Sequence, residues 1–235
     1  MDILVPAIIA AGNKWTPKNL ANLELWFTAD KITGLSDGDA VASWPDSSGN
    51  SRDATQATSG RRPIYKTSTL NGKPVVRFTA ANAHRLVSAF SDIAQPTTLF
   101  IVYSISANTG TYQRIIDGTV SGKRQNLYWY NNKIGENAGS SLEYNKTIPF
   151  SHLILSVLCN GASSQIWGNG TSQVSGNAGT QVLNGMSIGS YYDGSVQHFN
   201  GDIAEIVYYS SALSTTDRQK VEKYLSDKYG IAVAA

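Results

Sequence analysis

Eight short segments rich in valine, isoleucine, tyrosine, tryptophan and threonine recur between clusters of glycine, asparagine, aspartate and proline, and that rhythm is the strongest constraint on what the chain can fold into. The segments are 23–29, 75–79, 97–105, 114–117, 126–130, 153–159, 165–167 and 203–209, and each reads as a strand. Asn160-Gly161 lies between two of them and Asn169-Gly170 follows the second, the residue pairs expected of tight turns whose backbone takes positive φ. A hairpin is therefore expected around Asn160-Gly161. In 202–208 the residues alternate with period two, one face apolar and the other mixed, which predicts a half-buried antiparallel strand with a wet side.

One segment breaks the pattern. From about Thr215 to Lys228, Val221, Tyr224, Leu225 and Tyr229 repeat at helical spacing, Ser214 can cap the start with Asp217 three residues on, and Gly230 ends the run. Composition agrees with an all-β body: 41% of residues are hydrophobic, only 15% are charged, and there are 21 glycines and 12 tyrosines among 235 residues. No internal repeat, linker or change of composition divides the chain, so one domain is expected over 15–235, preceded by an apolar arm over 1–14. That arm has no basic leading region and is interrupted by Pro6, so it reads poorly as a signal peptide, and it is too short to span a bilayer. It is read as a contact to a neighbouring subunit or to its own domain.

Nineteen basic residues stand against 17 acidic ones, a formal charge of +2, and only Arg61-Arg62 sit together, so a nucleic-acid partner is not expected. The single cysteine, Cys159, closes an apolar run and reads as a small buried hydrophobe. His84, His152 and His198 lack metal-ligand spacing.

Three stretches carry a resemblance. They are 15–30, with Trp15-Thr16-Pro17 and Leu25-Trp26-Phe27; 41–78, with Trp44-Pro45-Asp46-Ser47-Ser48-Gly49-Asn50 and Asn71-Gly72-Lys73-Pro74; and 199–231, with Asn200-Gly201-Asp202-Ile203-Ala204-Glu205 and the closing helix. Their order and spacing resemble the LamG-like domains of the concanavalin A-like lectin and glucanase superfamily, and the Trp-Thr-Pro opening is most similar to phage-encoded members. The resemblance implies an all-β, antiparallel two-sheet jelly-roll sandwich with one C-terminal α-helix. It implies no single function, because such folds serve as lectins, adhesion domains, glucanases and structural subunits.

Glucanases of that superfamily carry paired acidic residues two to four positions apart on one strand, since retaining hydrolysis needs an acid and a nucleophile at one glycosidic bond. Here Glu24, Glu136, Glu143, Glu205 and Glu222 are isolated, and Asp202 with Glu205, three apart, is expected to fall on opposite faces of a strand. The chain is therefore expected not to be an enzyme. Asp46 and Asn50 place oxygen donors in a turn of the kind that holds calcium in many LamG-like relatives; the alternative is that both cap turns through the backbone. No other cofactor is implied.

Sugars bind by stacking their apolar faces on aromatic rings while polar side chains hold the hydroxyls. Two segments have that composition. In Asn126-Leu127-Tyr128-Trp129-Tyr130-Asn131-Asn132, alternation turns Leu127 and Trp129 to the core and leaves Tyr128, Tyr130 and Asn131 available; in Gly189-Ser190-Tyr191-Tyr192-Asp193-Gly194, Tyr191, Tyr192 and Asp193 lie in a polar turn. These six residues are the carbohydrate-binding candidates, against the plainer reading that strand tyrosines are half-buried packing residues. The expected role is a non-enzymatic phage virion or surface protein, such as a decoration, tail or fibre component, that attaches to a cell-surface glycan. A purely structural assembly subunit is the alternative, and a polysaccharide-degrading enzyme the least favoured. Expected partners are the glycan, other virion subunits met through the arm, and further copies of the chain. The expected location is the virion surface, or else extracellular.

Overall fold

The computed structural model describes residues 14–106, 109–147 and 150–234; the arm expected over 1–14 lies, apart from Lys14, outside the described residues. In chain order the strands are β1 (Leu23–Thr28), β2 (Ser43–Trp44), β3 (Ala54–Thr55), β4 (Ile64–Leu70), β5 (Lys73–Phe78), β6 (Leu86–Ser88), β7 (Thr97–Ile105) and β8 (Gln113–Asp117). They continue with β9 (Asn126–Tyr130), β10 (Lys133–Asn137), β11 (Ser141–Asn145), β12 (Phe150–Cys159), β13 (Ser164–Gly168), β14 (Thr171–Gly176), β15 (Met186–Ile188) and β16 (Gly201–Tyr209), and helix α1 (Thr215–Tyr229) follows. One sheet runs β14-β13-β12-β7-β16-β5-β4, with β1 also paired to β16; the other runs β11-β10-β9-β8-β15-β6-β3-β2. All pairings are antiparallel, and the fold is a jelly-roll sandwich with one C-terminal helix.

Strand β16 organises the first sheet. One edge pairs along its length with β7, and the other is shared end to end by β5, at 201–203, and β1, at 205–209. Ile203, Ile206 and Tyr208 enter the core between the sheets, where Phe27, Trp44, Tyr103, Leu127 and Trp129 also lie. Ala204, Val207 and Tyr209 join a second apolar layer with Val221, Leu225 and Tyr229 of α1. The expected wet side of β16 is therefore absent: all nine residues are buried, because the helix and the Trp15–Leu20 segment cover the outer face. The helix itself begins as its sequence implies. Ser214 Oγ accepts from Asp217 N at 3.1 Å, and Gly230 takes φ +64° at the end.

The Asn-Gly reading holds in part. Asn169 and Gly170 have φ of +48° and +78° and join β13 to β14 as a two-residue turn; Asn131 and Asn132, at +50° and +58°, do the same between β9 and β10. The β12–β13 hairpin is present, but Asn160 has φ −151° and the connection is a 3-10 turn over Gly161–Ser163. Among the described residues no helix is long and apolar enough to cross a membrane.

Candidate functional site

Alternation along β9 decides what the outer face of the second sheet carries. Leu127 and Trp129 belong to the inter-sheet core, so Tyr128 and Tyr130 point the other way. On the neighbouring strand β8, Ile115 and Ile116 fill the core while Arg114 and Asp117 turn outward, the register to β9 shifting between Arg114 and Ile116. The loop after β15 then lays Tyr191 and Tyr192 over the same face. The two candidate segments, about sixty positions apart, thus meet through two arginines.

The Arg114 guanidinium lies 4.9 Å from the Tyr128 ring, 5.1 Å from Tyr112 and 5.8 Å from Tyr191. Arg124 lies 4.3 Å from Tyr191 and 5.1 Å from Tyr192. Tyr112 stacks on Tyr130 with centroids 3.9 Å apart and planes 12° from parallel. Both guanidinium groups are oriented by polar partners. Arg114 Nε donates to Gln197 Oε1 at 2.8 Å and its Nη1 donates to Asn126 Oδ1, while Arg124 grips Asp117 with two hydrogen bonds of 2.8 and 2.6 Å. Asp117 is fully buried, and that burial outweighs its arginine and pushes the carboxyl above its ordinary value.

The six candidates do not play one role. Tyr130, 37% exposed, and the half-buried Tyr191 and Tyr192 present ring surface to solvent, and Asn131 and Asp193 are exposed in turns beside them. Tyr128 is only 2% exposed, so it is a support rather than a contact residue. Its hydroxyl donates to Glu143 Oε1 at 2.6 Å, Lys133 holds the other oxygen at 2.8 Å, and burial with Glu143 pushes the phenol up. Asp193 accepts from Ser195 N and Oγ, which holds its carboxyl below the usual range and closes the turn. Tyr112, Arg114, Asp117, Arg124 and Gln197 were missed. The signal available was an arginine and an aspartate flanking Ile115-Ile116 in an otherwise apolar strand.

Gly135 shows how closely the support is built. A Cβ there would lie 2.3 Å from Tyr128 Cζ, so the ring lies flat over the bare backbone of β10. Gly135→Ala is expected to displace Tyr128 and cost about 1–3 kcal/mol, read as a lower midpoint in thermal unfolding.

The Asp46 loop does not fit calcium. Asp46 Oδ1 accepts from Trp26 N and Ser48 N at 3.0 and 2.9 Å, and Oδ2 from Ser48 Oγ and Arg52 N at 2.7 and 3.1 Å. Asn50 Nδ2 donates to the carbonyls of Leu23 and Glu24. Donor hydrogens thus face the carboxylate where a cation would sit, and both residues tie the loop to β1. Among the described residues no cluster of three or more His, Cys, Asp or Glu side chains could hold a metal ion. The expected separation of Asp202 and Glu205 is also corrected. A bulge at Ala204 turns both carboxylates to the helix side of β16, where Asp202 pairs with Arg77 at 2.7 and 2.8 Å and Glu205 pairs with Lys228 at 2.7 Å.

No protein-family model matches the sequence, and no curated protein does. Solved structures do. The receptor-binding domain of botulinum neurotoxin D matches with a TM-score of 0.64 at 12% identity, over 89% of this chain and 54% of that one. Trypanosoma rangeli sialidase in complex with the inhibitor DANA matches with a TM-score of 0.61 at 13% identity, over 89% of this chain and 33% of that one. This is a jelly-roll sandwich. At such identities the likeness is one of fold, and the chain spans about a third of the sialidase and about half of the toxin domain. In this jelly roll the tyrosine and arginine face lies on the sheet remote from α1.

Proposed function

We propose that the chain is a non-enzymatic glycan-binding module that attaches to a cell-surface glycan through Tyr112, Tyr130, Tyr191 and Tyr192. The observation that carries the reading is that the two tyrosine pairs share one sheet face, fixed by Arg114 and Arg124, with Asn131 and Asp193 beside them. Aromatic surface ringed by hydrogen-bonding groups suits a pyranose, whose CH face stacks while its hydroxyls bond outward. The carboxylates near this face favour binding over hydrolysis. Asp117 is locked by Arg124, and Glu143 is shared between Lys133 and Tyr128. The lectin-like fold is consistent with recognition, and one of its neighbours is a receptor-binding domain.

The setting proposed is a phage virion or other surface subunit, repeated in a symmetric assembly, on the strength of the Trp15-Thr16-Pro17 opening. A glycan array probed with the full chain tests the binding role. Specific binding is expected, weakened about tenfold by Tyr130→Ala and by Tyr191→Ala at unchanged thermal stability. Oligomers without sugar affinity would instead make the chain a structural subunit, and reducing ends released from a polysaccharide would make it an enzyme.

A further inference from the structure

On the opposite side of the sandwich, where α1 covers the first sheet, a groove of about 530 Å³ opens between the helix, the Lys14–Thr16 segment, the end of β1 and the start of β5. Its volume lies within the range of small-molecule sites. Its lining carries six lysines, Lys14, Lys31, Lys73, Lys220, Lys223 and Lys228, against two aspartates, Asp30 and Asp227: a net charge of +4 in a chain whose formal total is +2. The basic residues scattered in sequence are gathered here by folding.

The floor is aromatic, and the polar atoms of two of its rings are already used. Trp26 Nε1 and Tyr224 Oη both donate to Glu205, at 2.6 and 3.0 Å, which leaves ring surface facing the groove. Trp15 and Trp26 lean on Tyr224 at centroid distances of 5.9 and 6.3 Å and angles of 55° and 77°. Lys228 is bound to Glu205 and Asp30, whereas Lys14, Lys31 and Lys73 form no ion pair among the described residues. Lys220 and Lys223 pair only with exposed aspartates of their own helix, contacts that are weak in water.

We propose that this groove is a second binding site, for an acidic saccharide bearing carboxylate or sulfate groups. Ammonium groups on flexible stems meet such anions as point charges from several directions, while the tilted rings offer apolar surface to a puckered sugar ring. A nucleotide fits less well. The rings make no parallel slot for a flat base, and the lining holds no arginine, asparagine or glutamine to read its edges.

Calorimetric titration of the full chain with a heparin-derived hexasaccharide, a hexagalacturonate and neutral cellohexaose, followed also by tryptophan fluorescence, tests the site. At least one acidic hexasaccharide is expected to bind and to perturb the fluorescence, with affinity falling roughly tenfold between 50 and 300 mM NaCl. The triple variant Lys31→Gln, Lys73→Gln, Lys223→Gln is expected to weaken that binding about tenfold or more at an unchanged melting temperature, and Tyr130→Ala to leave it intact. The proposal is overturned if neither acidic probe binds, if the lysine variant binds them as well as the parent, or if AMP or a thymidine hexamer binds more tightly than the sugars and is lost in the same variant. If acidic binding is lost in Tyr130→Ala instead, the groove fails as a site while the tyrosine face stands.

Discussion

Glu205→Ala is expected to lower stability by about 3–5 kcal/mol, a drop of roughly 6 to 20 °C in melting temperature for a chain of this size. Glu205 is completely buried, and four donors converge on it: Trp26 Nε1 at 2.6 Å, Tyr224 Oη at 3.0 Å, Tyr229 Oη at 2.7 Å and Lys228 Nζ at 2.7 Å. Three of the four come from α1, so this one carboxylate ties the helix to β16. Removing it takes the acceptor from Trp26 Nε1 and the Tyr224 hydroxyl beneath the helix and leaves Lys228 with Asp30 and Thr28, and leaving donors unpaired costs more than the bonds contributed. Glu205→Gln keeps the volume and one acceptor, so a smaller loss is expected. Thermal unfolding followed by far-ultraviolet circular dichroism reads both variants. A change under about 1 kcal/mol for the alanine would mean that apolar packing of Val221, Leu225 and Tyr229 holds the helix without the clamp.

The same clamp explains a misreading. Alternation over 202–208 predicts a wet face, since Glu205 is charged and sits among small and aromatic residues. The face is dry because Lys228, twenty-three positions on in a different element, brings the compensating charge. Period-two patterning reports which residues are apolar, and a buried ion pair hides one polar residue with another. The bulge at Ala204 was hidden for the same reason, because it depends on the partner strand β7. By contrast β7 and β9 lie where their continuous apolar runs place them, at Thr97–Ile105 and Asn126–Tyr130. Strands β10, β11 and β14, with sequences KIGEN, SLEYN and TSQVSG, were not legible: their strand character comes from hydrogen bonding to a neighbour rather than from composition.

Much the same division runs through the candidate site. Tyrosines flanked by asparagine or aspartate could be picked out by chemistry alone, and the structure brings both segments to one face. What could not be read was which ring is covered. Tyr128 and Tyr130 are equivalent in alternation, yet Tyr128 lies over Gly135 with its hydroxyl on Glu143, while Tyr130 sits at the strand end with Tyr112 stacked on it. Arg114 and Arg124 drew no notice because scattered charges count for nothing until folding aligns them with rings. The lysine groove was hidden likewise, its members spread from Lys14 to Lys228.

Relative to the Glu136→Gln variant, the parent protein is expected to lose stability as pH rises from about 4.5 to about 8. Glu136 lies in the inter-sheet core beside Cys159, with Gln125 and Tyr208 nearby, and burial, reinforced by Asp117, raises its carboxyl from 4.5 to about 8; Cys159 and Arg114 oppose the shift without cancelling it. The folded chain therefore keeps a proton that the unfolded chain gives up once pH passes 4.5. The stabilisation is complete below that value, shrinks through neutrality and is gone above about 8, a change on the order of a few kcal/mol. Neutral glutamine has the same shape and no proton to lose, so the two proteins should unfold alike near pH 4.5 and the variant should be several degrees more stable at pH 8. His84, His152 and His198 are all held below their ordinary value by burial, which costs stability as pH falls, but that contribution is common to both chains and cancels in the difference. Melting curves at pH 5, 6.5 and 8 read the effect directly. Parallel pH profiles for the two proteins would show that Glu136 is ionised and compensated in the folded core, and would return it to the ordinary carboxylate range.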